Sequence, residues 1–443
     1  MTLTTLSRST PMVAIIGRPN VGKSTFFNRV LGTRRAVVHD RPGITRDRNA
    51  VRAEWAGRTF LLVDTGGFLP GSAAPRDSVV RRQAEQAIEL ADTVLFMTDA
   101  KTGVTDLDSA IARDLRRRSR NCLLVVNKVD KPSDPVVHEF SRLGLGEPIP
   151  ISAENATGIG DLLDQVVARL PERAPEVEDP RPRIAIVGRP NVGKSSLVNA
   201  LLGEERVIVE PRPGTTMDPI DAEWSTPAGE FVLVDTAGIR RQSRFADESE
   251  YYASLRALQA LERSDVACLV VDATQGFQKQ EARLAQEAFE AGRPVLLLYN
   301  KWDLVEEKDQ AWKRLDEERR RRYPTLSDLP SAPVSTLTGT NLHRLPRLVG
   351  ERWEQATRRI PTPRLNRFLA DAQRKRQAPS NRLGREPRLY YMTQTGVRPP
   401  EFTIFANAPD RIQMAYRRFL WTQLTETFGF QGTPVRLKFR RRS

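Results

Sequence analysis

The octet GRPNVGKS stands twice in this sequence, at Gly17–Ser24 and at Gly188–Ser195, 171 residues apart. Each copy fits G-x-x-x-x-G-K-[ST] and lies between an apolar run (VAII, IAIV) and a helical one (TFFNRVLG, SLVNALLG), the setting a phosphate loop requires. In such a loop the backbone amides of a glycine-rich turn and of the following helix N-terminus point inward and cradle phosphate oxygens. The expected contacts come from Gly17, Arg18, Pro19, Asn20, Val21, Gly22, Lys23, Ser24 and Thr25. The second set is Gly188, Arg189, Pro190, Asn191, Val192, Gly193, Lys194, Ser195 and Ser196. Lys23 and Lys194 would reach the β- and γ-phosphates, and the Ser24 and Ser195 hydroxyls would ligate Mg²⁺.

A divalent cation beside phosphates needs a carboxylate from a neighbouring strand. Asp64 and Asp235 each follow an apolar strand, inside VDTGG (Val63–Gly67) and VDTAG (Val234–Gly238), which keep the 171-residue offset. Gly67 and Gly238 can offer a backbone N–H to a γ-phosphate. Between each phosphate loop and its DxxG lies a Thr-bearing loop, PGITRD (42–47) and PGTTMD (213–218). Thr45 and Thr216 are the aligned candidates for a second Mg²⁺ hydroxyl, one that binds only while the γ-phosphate is present.

NKVD (Asn127–Asp130) and NKWD (Asn300–Asp303), 173 residues apart, select the base. Asp130 and Asp303 can accept both N1–H and the exocyclic amino group of guanine, a donor pair that adenine lacks. Leaving that carboxylate unpaired is costly, so adenine is rejected. Asn127 and Lys128, with Asn300 and Lys301, complete the two motifs. Ser152-Ala153 after the next strand would supply a backbone amide to guanine O6. Ser335-Thr336 take that place in the second copy, 35 residues after Asn300 where the first copy has 25, and the surplus falls in the charged stretch Leu304–Arg322. Ras-type enzymes carry a water-orienting glutamine directly after DxxG; Phe68 and Ile239 stand here, and neither can hydrogen-bond water.

These motifs repeat in order and spacing, which means a whole domain is duplicated in tandem. With 443 residues, and about 150 per domain, three domains are expected. They are a first nucleotide domain over 1–170, a proline-rich linker over 171–183, a second nucleotide domain over 184–357, and a C-terminal domain over 358–443. Apolar β-branched runs (FLLV, TVLFM, CLLVV; FVLV, ACLVV, VLLLY) alternate with helical patterns such as Arg81–Leu90, so each copy should be a doubly wound, mostly parallel α/β sheet with ligands at strand C-termini.

Residues 358–443 hold 19 Lys/Arg against five Asp/Glu, an excess of 14 that equals that of the whole chain, 69 against 55. Such clustering is the electrostatic footprint of a polyanion-binding segment, nucleic acid above all. The segment reads as helix (Arg364–Gln377), strand (Arg388–Gln394), strand (Phe402–Asn407), helix (Arg411–Phe428) and strand (Val435–Arg440). The αββαβ order resembles a KH-like α+β domain. Gly429-Phe430-Gln431-Gly432 has the GxxG form of a KH clamp, but between helix and strand it reads as a helix stop and turn. Val435, Leu437 and Phe439 alternate with Arg436, Lys438 and Arg440 in the last strand, one apolar and one basic face. Cys122 and Cys268 lie inside apolar runs as small core residues, and His39, His138 and His343 lack metal-ligand spacing. No apolar run approaches the ~18 residues of a membrane span, which predicts a soluble, cytoplasmic protein.

Two GTPase domains of translation-factor type followed by a small basic domain resemble the Der/EngA family of ribosome-assembly GTPases over practically the full length. That resemblance implies GTP and GDP as ligands, GTP hydrolysis with Mg²⁺, and a role in maturation of the large bacterial ribosomal subunit. The partners it implies are the subunit or its precursor and rRNA, with the chain acting as a monomer. Asn20 and Asn191 match the asparagine that in related GTPases helps hold K⁺ against the phosphates. A cation there could replace an arginine finger; an arginine from elsewhere is the other source, and each asparagine also fits its turn. A GTP-dependent RNA-binding scaffold with negligible hydrolysis and a tRNA-modification GTPase are the rival readings; the second should carry a modification domain, which is not found.

Overall fold

The structure, a computed structural model, describes residues 10–32, 50–65, 88–117, 121–131, 133–171, 179–203, 221–236, 239, 250–377 and 387–441. The chain divides into two compact units, Met1–Glu176 with Ser249–Gln259, and Val177–Glu248 with Ala260–Ser443.

In the first unit β1 (Met12–Ile16), β3 (Arg58–Asp64), β4 (Thr93–Asp99), β5 (Cys122–Asn127) and β6 (Ile149–Pro150) run parallel, and β2 (Ala50–Trp55) adds an antiparallel edge. The order is β2-β3-β1-β4-β5-β6. β1, β4 and β5 are buried along their whole length, because a parallel sheet covered by helices on both faces wants unbroken apolar runs. The β2–β3 hairpin turns at Ala56-Gly57, both with positive φ (47° and 75°), which matches the strand twist. Helices α1 (Lys23–Gly32), α2 (Asp106–Arg117) and α3 (Ile159–Arg169) accompany the sheet. Leu255, from the segment 249–259, packs with Met12, Leu61 and Val63.

The second unit repeats the sheet with β7 (Arg183–Val187), β8 (Ala222–Thr226), β9 (Gly229–Val234), β10 (Val266–Asp272), β11 (Val295–Asn300) and β12 (Ser331–Pro333), in the order β12-β11-β10-β7-β9-β8. Helices α4 (Lys194–Gly203), α5 (Lys279–Glu290), α6 (Lys308–Arg322) and α7 (Leu345–Thr357) accompany that sheet. The surplus residues of the second copy build α6, whose Trp312 meets Tyr299 and Trp302 edge-on at 5.8 and 5.9 Å. The insertion therefore braces the strand end that carries NKWD.

In the C-terminal part, β13 (Leu389–Gly396), β14 (Glu401–Ala406) and β15 (Arg436–Arg441) form a sheet, the first pair antiparallel and the second parallel. Helices α8 (Thr362–Lys375) and α9 (Met414–Phe428) bury Leu365, Leu369, Tyr416 and Leu420 against Met392, Phe402 and Ile404. α9 starts at Met414 rather than Arg411. Pro409–Arg411 make a single 3-10 turn, and Arg417 takes the Ile412 carbonyl that a longer helix would have used, along with the Pro409 carbonyl. Gly429 ends α9 in the left-handed region, the expected helix stop.

The rest of that turn docks. Val295 N–H, at the start of β11, donates to the Gly432 carbonyl at 2.8 Å. Gly432 has φ +70°, and a Cβ there would stand 2.2 Å from Pro330 Cδ. Arg352 Nη1 donates to the Gln431 carbonyl at 3.2 Å. Cys122 and Cys268 are core residues, and burial pushes both thiols up to about 12. Among the described residues no helix is long and apolar enough to cross a membrane, and no group of three His, Cys, Asp or Glu side chains could hold a metal ion.

Candidate functional site

Both phosphate-type loops leave the C-terminal end of a central strand and run into a helix, β1 into α1 and β7 into α4. Gly22 and Gly193 have φ of +98° and +96°, and a Cβ on either would lie 2.2 Å from the amide nitrogen of Asn127 or Asn300. Those asparagines hold the loops from behind. Asn127 Nδ2 donates to the Val21 carbonyl at 2.7 Å, and Asn300 Nδ2 to the Val192 carbonyl at 2.9 Å. Asn20 and Asn191 take left-handed φ values of 66° and 63°.

Lys23 Nζ donates to the Gly17 and Arg18 carbonyls, each at 2.8 Å, and Lys194 Nζ donates to the Arg189 carbonyl at 2.7 Å. Burial drives the Lys23 ammonium down to about 8, with Asp64 pulling the other way and Arg18 adding to the fall. A desolvated ammonium inside a loop of backbone groups is a donor set that fits a polyphosphate. Ser24 Oγ donates to Asp64 Oδ2 at 2.7 Å, so hydroxyl and carboxylate stand together as a hard oxygen pair suited to Mg²⁺. The second copy differs. Ser195 Oγ donates to the Ile239 carbonyl at 2.7 Å, and Asp235 has φ 58°. The Ile239 side chain is buried in the core beneath the sheet, where it orients no water.

The NKxD asparagines also reach the Ser-Ala and Ser-Thr loops. Asn127 Oδ1 accepts from the Ala153 N–H at 2.9 Å, and Asn300 Oδ1 from the Thr336 N–H at 3.2 Å. One amide side chain thus ties the phosphate loop to the loop expected at the base. Arg29 of α1 supports the first loop through the Ala153 and Glu154 carbonyls. Ala200 occupies that position in α4, and there the Ser335 hydroxyl donates to Asp303 and Asn341 holds the Pro333 carbonyl.

Two carboxylates escaped the sequence reading. Lys128 Nζ donates to Asp99 Oδ2 at 2.7 Å and to the Asn20 carbonyl at 2.8 Å, and Lys301 Nζ donates to Asp272 Oδ2 at 2.7 Å. Burial alone would raise Asp99 and Asp272, but the lysine bonds with those from Lys101 and Thr102, or from Thr274, outweigh it and hold both below the ordinary carboxylate range. The signal was present: MTDA and VVDA end the fourth strand of each copy with the same 173-residue offset as NKxD. Arg18–Asp108 and Arg189–Glu281 form a second duplicated pair that anchors each loop to α2 or α5. Thr45, Gly67, Phe68, Thr216 and Gly238, His39, and most of Arg81–Leu90 lie outside the described residues.

A family model described as "50S ribosome-binding GTPase" matches residues 12–128 and again 183–301. A model described as "KH-domain-like of EngA bacterial GTPase enzymes, C-terminal" matches residues 359–440. GTPase Der of Caldanaerobacter subterraneus subsp. tengcongensis is 47% identical, covering 98% of this chain and 99% of its own. GTPase Der of Moorella thermoacetica is 47% identical over 97% and 98% of the two chains, and that of Heliobacterium modesticaldum 48% over 98% of each. With the duplicated loops, the two sheets and the KH-like domain in one chain, the chain belongs to the Der family of GTPases and hydrolyses GTP.

Proposed function

We propose that this GTPase acts in maturation of the large bacterial ribosomal subunit, in the cytoplasm and as a monomer, engaging rRNA through residues 358–443. The observation that carries this reading is the union in one chain of two GTPase-family regions, each with a phosphate-type loop, and a KH-like domain holding the whole excess positive charge. The domain limits are 1–170, 171–183, 184–357 and 358–443. At each site Lys23 or Lys194 neutralises phosphate, Ser24 with Asp64 and Thr45, or Ser195 with Asp235 and Thr216, would hold Mg²⁺, and Gly67 or Gly238 offers an amide to the γ-phosphate. Mg²⁺ supplies charge neutralisation across the phosphates. Asp130 and Asp303 read guanine, and Asn20 and Asn191 would hold a K⁺ that supplies positive charge where other GTPases bring a glutamine or an arginine.

Co-sedimentation of the full chain with purified ribosomal subunits tests this reading. A non-hydrolysable GTP analogue should carry the protein into the large-subunit fraction, and GDP should release it. Equal partition with both subunits, or none with either, overturns it.

A further inference from the structure

The face of the C-terminal sheet that points away from its core carries a feature that its charge alone does not explain. Tyr391, Phe405 and Arg440 lie in one row across β13, β14 and β15. The two rings stack with centroids 4.4 Å apart and planes 14° apart. A β-bulge between Leu389 and Tyr391 inserts Tyr390, so two consecutive tyrosines face outward, 43% and 39% exposed. Bulges re-aim side chains in this way. The next rows hold Thr403 beside Lys438 and Glu401 beside Arg436. Across the three strands Arg436, Lys438, Arg440 and Arg441 stand against a single acid, Glu401, which Lys438 engages at 2.7 Å. Met392, Phe402 and Ile404 point the other way into the core.

The usual clamp of a KH fold is not available to this domain. Its GxxG-form turn is spent on packing, with Phe430 fully buried and the Gly432 carbonyl bonded to Val295. We infer that the Tyr390–Tyr391–Phe405 surface, flanked by Arg440 and Lys438, is a stacking platform for unpaired RNA bases. Aromatic rings reward the open faces of splayed bases, which an A-form duplex hides, and the basic row beside them tracks the backbone. The inference rests on the rRNA reading above and names the part of the RNA that is held.

The test uses the full chain, a single-stranded RNA carrying 2-aminopurine, and a blunt RNA duplex of equal length. Wild type and Tyr391→Phe should quench 2-aminopurine and bind the single strand equally. Tyr391→Leu and Tyr390→Leu should bind it more weakly, by roughly 5- to 150-fold for one stacked base, with the same salt dependence, the same duplex affinity and wild-type GTP hydrolysis. Arg440→Gln should instead flatten the salt slope by about 0.7. If Tyr391→Leu binds the single strand like wild type while both RNAs bind with steep salt dependence, the platform fails and the rRNA reading stands; the rings then cover a protein partner. Equal losses on single strand and duplex also overturn the platform. If wild type binds neither RNA, both readings fall together.

Discussion

Gly22 and Asn127 stand so close that a methyl group on Gly22 would lie 2.2 Å from Asn127 Nδ2, and a methyl group on Gly193 would lie equally close to Asn300 Nδ2. The asparagine holds the phosphate-type loop with one end and the Ala153 or Thr336 amide with the other. Gly22→Ala should therefore damage both ends of the first site at once. Strain at φ +98° costs about 1–3 kcal/mol, so GTP affinity at that site should fall at least about fivefold. Gly193→Ala should do this at the second site alone. Stoichiometry by equilibrium dialysis, dropping from two nucleotides to one in each variant, is the measurement.

Base selection should follow the aspartates. Asp130→Asn and Asp303→Asn exchange an acceptor for a donor, so each site should lose GTP and gain xanthosine triphosphate. An unpaired group of this kind costs about 1–3 kcal/mol, enough for a tenfold or greater reversal in competition binding. ATP binding as tight as GTP binding in the native protein would refute the guanine assignment.

The left-handed φ of Asn20 and Asn191 shapes the test of K⁺. Asn→Ala would add a backbone penalty of about 1–2 kcal/mol and confuse the result. Asn→Gly removes the side-chain oxygen and keeps the turn. Hydrolysis by wild type should be markedly faster in K⁺ than in Na⁺ at constant ionic strength, and Asn20→Gly with Asn191→Gly should erase the difference. Equal rates of the native protein in both salts would assign the charge to an arginine from a partner.

Lys23, lowered from 10.5 to about 8 by burial, links nucleotide binding to pH at the first site. Between pH 8 and 10.5 the unfolded chain holds more protons than the folded one, so this group's destabilising contribution is full below pH 8 and relieved as pH rises. A bound phosphate should return the lysine to its charged form. GTP binding to Gly193→Ala protein, which reports the first site alone, should take up a proton near and above pH 8 and weaken as pH rises further. Calorimetry in buffers of different ionisation enthalpy reads that uptake directly.

The phosphate-type loops and NKxD motifs were legible because each is a local backbone solution that few residue types satisfy. The central strands were legible because burial on both faces leaves unbroken apolar runs such as Val94–Met97. β2 and β8 were not, since half-buried edge strands such as AVRAEW mix charge with apolar residues. Asp99 and Asp272 lacked a motif of their own; only their spacing to the NKxD lysines reveals them. The docking of Gly432 on Val295 joins residues 137 apart, and no local pattern encodes such a contact.

That last bond sets a timetable. At about 5–20 residues per second, Gly432 is synthesised roughly 7–27 s after Val295, whose N–H it receives. Throughout that interval the strand ending in Asn300 begins with an amide still waiting for its protein acceptor. The second nucleotide domain thus lacks one backbone bond of its finished form until Gly432 has been made and docked.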